Sequence, residues 1–186
     1  MRVALFGISC VGKSTLGAKL AEIYDYRFVD FDAEVRARMN MSITRIKKSC
    51  FNEHRYRQTV KHILPEILSE NPDNMVLAMP PGGLLREYKT VFDRNPDVLT
   101  VVLKDRSVNI LNRLVFTDDD DEIIDEQVVT NENRHLYYRE IQKDAEYFRA
   151  SLSKARLSFN IDGRGIDDAA IALADFIDAY QKGGEA

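Results

Sequence analysis

The chain has 186 residues, a length that fits one α/β domain with a sizeable core. Its formal net charge is -4 and its pI is about 5.5, which argues against a nucleic-acid-binding protein, because such a protein would carry a basic excess. No apolar run has the length that a membrane span requires, and the first strand starts too early for a signal or transit peptide. We therefore expect neither nucleic-acid nor membrane partners.

Strand-like and helix-like segments alternate along the chain. Short apolar segments predict strands at residues 2–7, 27–30, 75–79, 99–103 and 157–161. Periodic segments predict helices at about 13–24, 32–40, 52–70, 84–94, 106–116, 131–153 and 166–181. This alternation predicts an α/β three-layer sandwich with a five-stranded parallel sheet flanked by helices. Ligands of such sheets bind beyond the carboxyl ends of the strands, so the residues after each strand are the functional candidates.

A phosphate-binding loop follows the first strand. Residues 7–14 match the pattern G-x-x-x-x-G-K-[ST] between a strand and a helix, although a chance match in a glycine turn is the alternative. Gly7 and Gly12 let the backbone turn its N–H groups towards phosphate oxygens, and the following helix adds its positive dipole end. Lys13 would reach the β- and γ-phosphates, and the Ser14 hydroxyl would ligate Mg²⁺. The predicted nucleotide-binding residues are Gly7, Ser9, Cys10, Val11, Gly12, Lys13, Ser14 and Thr15.

The two cysteines, Cys10 and Cys50, are expected to be reduced. Cys10 lies inside the phosphate loop, where a disulfide is unfavourable, so we expect a cytoplasmic location. A thiol in this loop also raises the question of whether oxidation modulates nucleotide binding.

The second strand ends in two carboxylates, Asp30 and Asp32. Alternation along an extended segment would place both on one side of the chain. One could hold a Mg²⁺-bound water while the other accepts a hydrogen bond from a substrate hydroxyl. The alternative is a turn followed by a helix N-cap, where aspartate is common. Their position beside the phosphate loop favours the functional interpretation.

Three further segments carry candidates for binding a substrate. Arg57 could hold a carboxylate through two parallel hydrogen bonds, or it could belong to a charged helix end. Gly82 and Gly83 follow the third strand and could let the backbone approach a substrate, or they could form a plain turn. Arg134 begins the helix that follows an acidic loop, and it could point back to the substrate.

The acidic loop covers residues 117–126 and carries seven acidic side chains and no basic one. Its position between two helices is where a phosphotransferase could keep a lid that excludes water. A lid over ATP normally brings positive charge to the transferring phosphate, which this loop cannot supply. We therefore favour a solvated surface loop for the individual acids, with a lid as the alternative.

The chain resembles the shikimate kinase family over roughly residues 1–180. The phosphate loop is shared by many enzymes, whereas the motifs after it are much more specific to this family. In order, they are Asp30-x-Asp32, Ser42-Ile43, Tyr56-Arg57, Gly82-Gly83, and Arg134 with Tyr138.

The resemblance implies a P-loop kinase fold in a single domain over residues 1–182. An acceptor-binding helical segment would cover about 32–62 and a lid about 113–133. The implied activity is ATP- and Mg²⁺-dependent phosphorylation of a hydroxyl of shikimate or a similar small hydroxylated acid, within aromatic amino acid biosynthesis. We expect a monomer or weak homodimer. The alternative is a nucleotide-binding protein that is catalytically weak or inactive and acts through a protein partner.

The resemblance also assigns roles to residues on the nucleotide side. Lys13 and Ser14 would serve ATP and Mg²⁺, with Asp30 near the metal. Arg164 lies in the segment that would wrap the adenine. Arg113 would be a catalytic lid arginine or, in a second alignment, a nucleotide-contacting one.

On the acceptor side, the resemblance makes Asp32 the residue that orients the acceptor hydroxyl, with a role as base. Arg57 and Arg134 would clamp the substrate carboxylate, and Gly82 and Gly83 would line the substrate.

The chain departs from the family pattern on the acceptor and lid side. Pro81 replaces the first glycine of a Gly-Gly-Gly segment, and Val60 stands where an acid is usual. If Arg113 is the nucleotide-contacting arginine, no lid arginine remains, because none occurs between Arg113 and Arg134. Such an arginine can stabilise the transition state by several kcal/mol.

Overall fold

Five parallel strands form the centre of the molecule. The computed structural model describes residues 1–82, 84–124 and 128–183. The strand order is β2-β3-β1-β4-β5, and every pairing is parallel. The predicted α/β fold is thereby confirmed, and every strand end agrees with the prediction to within one residue. The strands are β1 (Arg2–Phe6), β2 (Arg27–Asp30), β3 (Met75–Ala78), β4 (Val98–Lys104) and β5 (Leu157–Asn160).

Helices connect the strands and cover the sheet. The connection from β2 to β3 and the connection from β4 to β5 are the long ones. The helices are α1 (Lys13–Tyr24), α2 (Phe31–Met39), α3 (Ile43–Ser49), α4 (Glu53–Val60), α5 (Ile63–Glu70), α6 (Arg86–Asp93), α7 (Ser107–Leu111), α8 (Arg134–Leu152) and α9 (Ile166–Gln181).

Two helix predictions were wrong. The predicted helix 52–70 is two helices, α4 and α5, because Pro65 lacks an N–H and its ring would clash with the carbonyl of Lys61 in a continuous helix. The predicted helix 106–116 ends at Leu111, and the chain then turns towards an antiparallel bridge between Thr117 and Ile123. Helix α3 was missed, since seven residues with three basic side chains show little apolar period.

The core lies around β1, the central strand. Its apolar residues Val3, Ala4, Leu5 and Phe6 are fully buried, which explains a continuous apolar run without alternation. A central, rigid β1 fixes the loop that follows it. Within the described ranges, no helix has the combination of length and apolarity that crossing a bilayer demands.

Arg2, at the start of β1, is a buried charged residue that is 7% exposed. Its guanidinium donates to Asp97 Oδ2 at 2.6 Å and to the carbonyls of Leu68 and Asn71, at 2.9 and 3.4 Å. These acceptors compensate for burial of the charge and tie β1 to the end of α5.

Candidate active site

The loop after β1 has a backbone that few residues can adopt. Gly7 and Gly12 have φ of 151° and 111°, and Cys10 has φ of 55° although it carries a Cβ. A Cβ on Gly7 would lie 2.7 Å from Val11 Cγ1 and 2.9 Å from the Leu103 carbonyl oxygen. Gly7 is therefore required by sterics as well as by conformation.

Lys13 folds back onto this loop. Its Nζ donates to the carbonyls of Gly7 and Ile8 at 3.1 and 2.9 Å, and the residue is 8% exposed. Burial lowers the pKa of Lys13 to about 8, although Asp32, Cys10 and Asp30 act in the opposite direction. A buried cation whose hydrogen-bond acceptors are neutral carbonyls favours the arrival of an anion.

Ser14 and Asp30 join the loop to β2. Ser14 Oγ donates to Asp30 Oδ2 at 2.6 Å, while Asp30 Oδ1 accepts from the Ala33 N–H at 3.1 Å and caps α2. Asp30 is therefore a helix N-cap and a neighbour of the phosphate loop at once. Within the described residues no group of three or more His, Cys, Asp or Glu could hold a metal. Ser14 Oγ and Asp30 Oδ2 are oxygen ligands of the kind that Mg²⁺ prefers, and Mg²⁺ takes its remaining ligands from phosphates and water.

Asp32 lies in the first turn of α2 rather than on an extended strand. Its Oδ1 is buried and has no hydrogen-bond partner among the described residues. Burial raises the pKa of Asp32 to about 6, the charge of Asp30 adds to this, and the cations Lys47 and Lys13 oppose it. Asp32 thus carries an oxygen that is free to accept a hydrogen bond.

A small cavity of about 30 Å³ adjoins Asp32. It brings together two residues predicted for the acceptor side, Asp32 and Arg57, whose roles stay predictions. Pro81 also lines it, at the position of the family's first glycine. The full lining is Asp32, Ile43, Lys47, Glu53, Tyr56, Arg57, Pro80, Pro81 and Tyr88.

Two cavity residues were missed from the sequence, Lys47 and Tyr88. Lys47 Nζ lies 3.3 Å from Glu53 Oε1 and 5.2 Å from the centre of the Tyr56 ring. The hydroxyls of Tyr56 and Tyr88 are buried without a partner in the described part of the chain, and burial raises the pKa of both. Lys47 belongs to α3, and because this helix was not predicted, the sequence provided no reason to place Lys47 near the site.

Gly82 faces α8. Its φ is 107°, and a Cβ there would lie 2.9 Å from Phe148 Cε1. Its carbonyl accepts from Ser151 Oγ at 3.3 Å. A substrate-lining role for Gly82 stays a prediction, and Gly83 lies outside the described residues.

Arg113 lies in the turn after α7, where its Nη2 donates to Asp105 Oδ2 at 2.5 Å. The Asp105 side chain is fully buried and also accepts from Asn109 and from the Gly163 N–H. Arg164, next to Gly163, donates to the carbonyls of residues 160 and 161. This cluster joins Arg113 to the segment expected around adenine, which favours the nucleotide-contacting alternative for Arg113.

Arg134 does not line the cavity that contains Asp32 and Arg57. Its Nη2 donates to Asn112 Oδ1 at 2.6 Å. It borders a separate cavity of about 370 Å³, formed with residues such as Leu114, Phe116 and Val129 on both sides of the acidic loop. Its role as a carboxylate clamp stays a prediction and requires movement of this side chain.

The acidic loop caps α3 through Asp121. Asp121 Oδ2 accepts from the Ile43 N–H at 2.6 Å, and its Oδ1 accepts from the Thr44 N–H and hydroxyl at 3.2 and 2.8 Å. The Ser42 hydroxyl also donates to the carbonyl of residue 119. Because Ile43 lines the cavity, the loop is held at the edge of the cavity.

Two ion pairs add to this contact. Lys48 Nζ lies 2.6 Å from Asp119 Oδ2, and Arg45 Nη2 lies 2.9 Å from Asp120 Oδ1. The side chains of Asp119 and Asp120 are 60% and 59% exposed, as expected for a solvated loop, whereas Asp121 is half-buried against α3. The acids at 125 and 126 lie outside the described residues.

Comparison with known proteins identifies relatives over most of this chain. The family model described as "Shikimate kinase" matches residues 9–157. A shikimate kinase of Alkaliphilus oremlandii is 30% identical over 146 residues, which cover 73% of this chain and 82% of the relative. A bifunctional shikimate kinase/3-dehydroquinate synthase of Thermotoga maritima is 34% identical over half of this chain, and the match spans 20% of that protein. A match to a shikimate kinase of Nitrobacter winogradskyi likewise spans 38% of the relative.

Solved structures share the fold over nearly the whole chain. A shikimate kinase of Bacteroides thetaiotaomicron superposes with a TM-score of 0.78 at 19% identity and covers 96% of this chain and 98% of its own. One from Acinetobacter baumannii, in complex with shikimate, has a TM-score of 0.71 at 20% identity and covers 96% of this chain and 93% of its own. With the family model matching well over half of its length, the chain belongs to the shikimate kinase family.

Proposed function

We propose that this protein transfers the γ-phosphate of ATP to a hydroxyl of shikimate. The observation that carries the proposal is the position of Asp32. Asp32, whose Oδ1 has no partner among the described residues, lines the same cavity as Arg57, and its charge interacts with Lys13 of the phosphate loop. A hydroxyl acceptor beside Asp32 would thus lie between a carboxylate-binding guanidinium and the phosphate-binding lysine. The relatives named shikimate kinases support the choice of acceptor.

On the nucleotide side, the loop N–H groups and the start of α1 would bind the phosphates, and Lys13 would exchange its carbonyl partners for phosphate oxygens. Ser14 and Asp30 would hold Mg²⁺, which supplies neutralisation of phosphate charge. Phosphoryl transfer requires little covalent chemistry from the protein. These residues would therefore act by positioning the phosphates and by stabilising their charge.

On the acceptor side, Asp32 would accept the hydrogen of the attacking hydroxyl, since a carboxylate with a free oxygen within reach is the geometry of a general base. Arg57 would bind the substrate carboxylate in two parallel hydrogen bonds. Arg134, at the end of the lid segment, would bind the same carboxylate together with Arg57.

The lid over residues 113–133 would close by docking its acidic loop on α3, within the acceptor-binding segment 32–62. The cavity of about 30 Å³ is too small for a ring with several substituents, so we infer that the acceptor enters when the lid moves. We also infer a single domain over residues 1–182 that works in the cytoplasm.

The test is ADP release by the purified protein with ATP and Mg²⁺, with and without shikimate. We expect shikimate-dependent ADP formation that Lys13→Ala abolishes, because the lysine binds the transferring phosphate. Arg57→Ala should raise the KM for shikimate and leave the KM for ATP nearly unchanged, because Arg57 lines the acceptor cavity and the lining of that cavity includes no residue of the phosphate loop.

Different results would redirect the proposal. Activity with other small hydroxylated acids, but not with shikimate, would change the acceptor. ATP binding without turnover on a broad acceptor panel would favour a non-catalytic nucleotide-binding protein. Full activity of Lys13→Ala would contradict the role of the phosphate loop.

A further inference from the structure

Glu87 is a buried carboxylate in the first turn of α6 that faces α4. Its side chain is 8% exposed, and its Oε2 lies 3.8 Å from Arg57 Nε. Its Oε1 lies 2.8 Å from His54 Nδ1 and accepts from Gln58 Nε2 at 3.2 Å. Residues 54, 57 and 58 share one face of α4, because they are spaced three and four apart. One carboxylate is thus held by two neighbours with its second oxygen towards Arg57.

Glu87 supplies a fixed negative charge to Arg57. Burial works against its ionisation, yet its own backbone N–H, Arg57, Gln58 and His54 together hold the pKa of Glu87 below its usual range. The position in the first turn of α6 adds the positive helix end. Val60, three residues after Arg57 on α4, provides no carboxylate, so the charge comes from another helix.

The contact at Nε has a geometric consequence for the guanidinium. Arg57 Nε is buried and makes no hydrogen bond within the described residues, while the same side chain lines the cavity with Asp32. A guanidinium is planar, so a charge beside Nε determines how the group is presented to the cavity.

We propose that Glu87 is a positioning residue that orients Arg57 for the carboxylate of the acceptor. The inference rests on the proposed function, since it takes Arg57 as the acceptor clamp. Glu87 itself does not line the acceptor cavity, so it acts through Arg57 and not by touching substrate.

The first test is steady-state kinetics of Glu87→Gln. We expect the KM for the acceptor to rise roughly tenfold, with kcat within a factor of about three and the KM for ATP unchanged, because neighbouring residues couple by such amounts. In the Arg57→Ala background, Glu87→Gln should add no further effect. Glu87→Asp, which keeps the charge, should recover part of the loss. Asp93→Asn, on the same helix and paired with Lys89, is the matched control and should behave as wild type.

Two kinetic outcomes would overturn the inference. One is an unchanged acceptor KM in Glu87→Gln. The other is the same fold-change in the presence and absence of the Arg57 side chain, which would indicate a general structural effect.

A second readout does not depend on turnover. The Nε–H resonance of Arg57 in ¹H–¹⁵N spectra, assigned with Arg57→Lys, should shift in Glu87→Gln and stay in place in Asp93→Asn. An unshifted resonance would refute the inference even in an active kinase. A shifted resonance in a protein without turnover on any acceptor would refute the proposed function and leave the Glu87–Arg57 contact supported.

Discussion

At the residue scale, Asp32 combines two properties that oppose each other in energy. Its Oδ1 is removed from water and has no partner among the described residues, which costs stability when the group is charged. The carboxyl group, whose pKa burial raises to about 6, is suited to receive a proton near neutral pH through this oxygen. A group that lowers the stability of the fold but suits a chemical role is typical of functional sites.

The cost predicts a pH dependence of stability. The folded-state pKa of about 6 lies above the reference value of 3.8, so the native state binds more protons, and this group's contribution falls as pH rises from about 4 to 6. An amide side chain at this position cannot ionise, so Asp32→Asn should gain up to about 3 kcal/mol relative to wild type between pH 4 and pH 7. Urea unfolding of both proteins in EDTA measures this. A difference that stays constant across pH would show that Asp32 has an ordinary pKa.

At the scale of elements, the contact between the acidic loop and α3 joins two segments that are far apart in sequence. Asp121 serves as a side-chain acceptor for the free N–H groups at the start of α3, and two exposed ion pairs flank it. Single exposed pairs contribute only about 0.2–1 kcal/mol, so the two ion pairs add little to the hydrogen bonds of Asp121. An acidic loop therefore packs on a basic helix, and Lys47 of that helix lines the cavity that contains Asp32.

Charge reversal on α3 tests this contact. Lys48→Glu should raise the acceptor KM about three- to fivefold through loss of one pair and a new repulsion, and adding Asp119→Lys should restore part of it. The wild-type acceptor KM should rise with salt, since exposed charges are screened. Lys143→Glu on α8, which removes a pair with Glu140, is the control. Equal effects of Lys48→Glu and Lys143→Glu would mean that the loop does not control acceptor binding.

At the scale of the whole molecule, Arg2 stabilises the end of the sheet that lies opposite the candidate site. There it joins the start of the central strand to the end of α5. Arg2→Ala should cost roughly 3 kcal/mol, because it leaves the Leu68 and Asn71 carbonyls without their charged donor. For a chain of this size this lowers Tm by roughly 6–12 °C. Asp97→Asn, which removes the exposed partner, should cost under about 1 kcal/mol. Calorimetry measures both, and equal losses would assign the stabilisation to the ion pair.

The sequence predicted the fold and the position of the phosphate-loop motif between β1 and α1, because both depend on local pattern. The nucleotide-binding roles of the motif's residues stay predictions. Continuous apolar strands and the spacing of Gly7, Gly12 and Lys13 are encoded within short segments. The break before Pro65 was also readable in principle. The docking of Asp121 on α3 and the approach of Glu87 to Arg57 were not, since each depends on how separate connections pack. The tertiary contact, and not local propensity, decides those positions.

The strand order has an evolutionary consequence. The central strand carries the phosphate loop, whereas α2 to α5 all belong to the connection from β2 to β3, and the acidic loop belongs to the connection from β4 to β5. Exposed residues of α3 and of the acidic loop, such as Lys48 and Asp119, lie outside the buried core around β1, so their replacement does not repack it. Under the proposed function, selection can therefore alter acceptor binding through such surface residues while the packing beneath the phosphate loop is inherited unchanged.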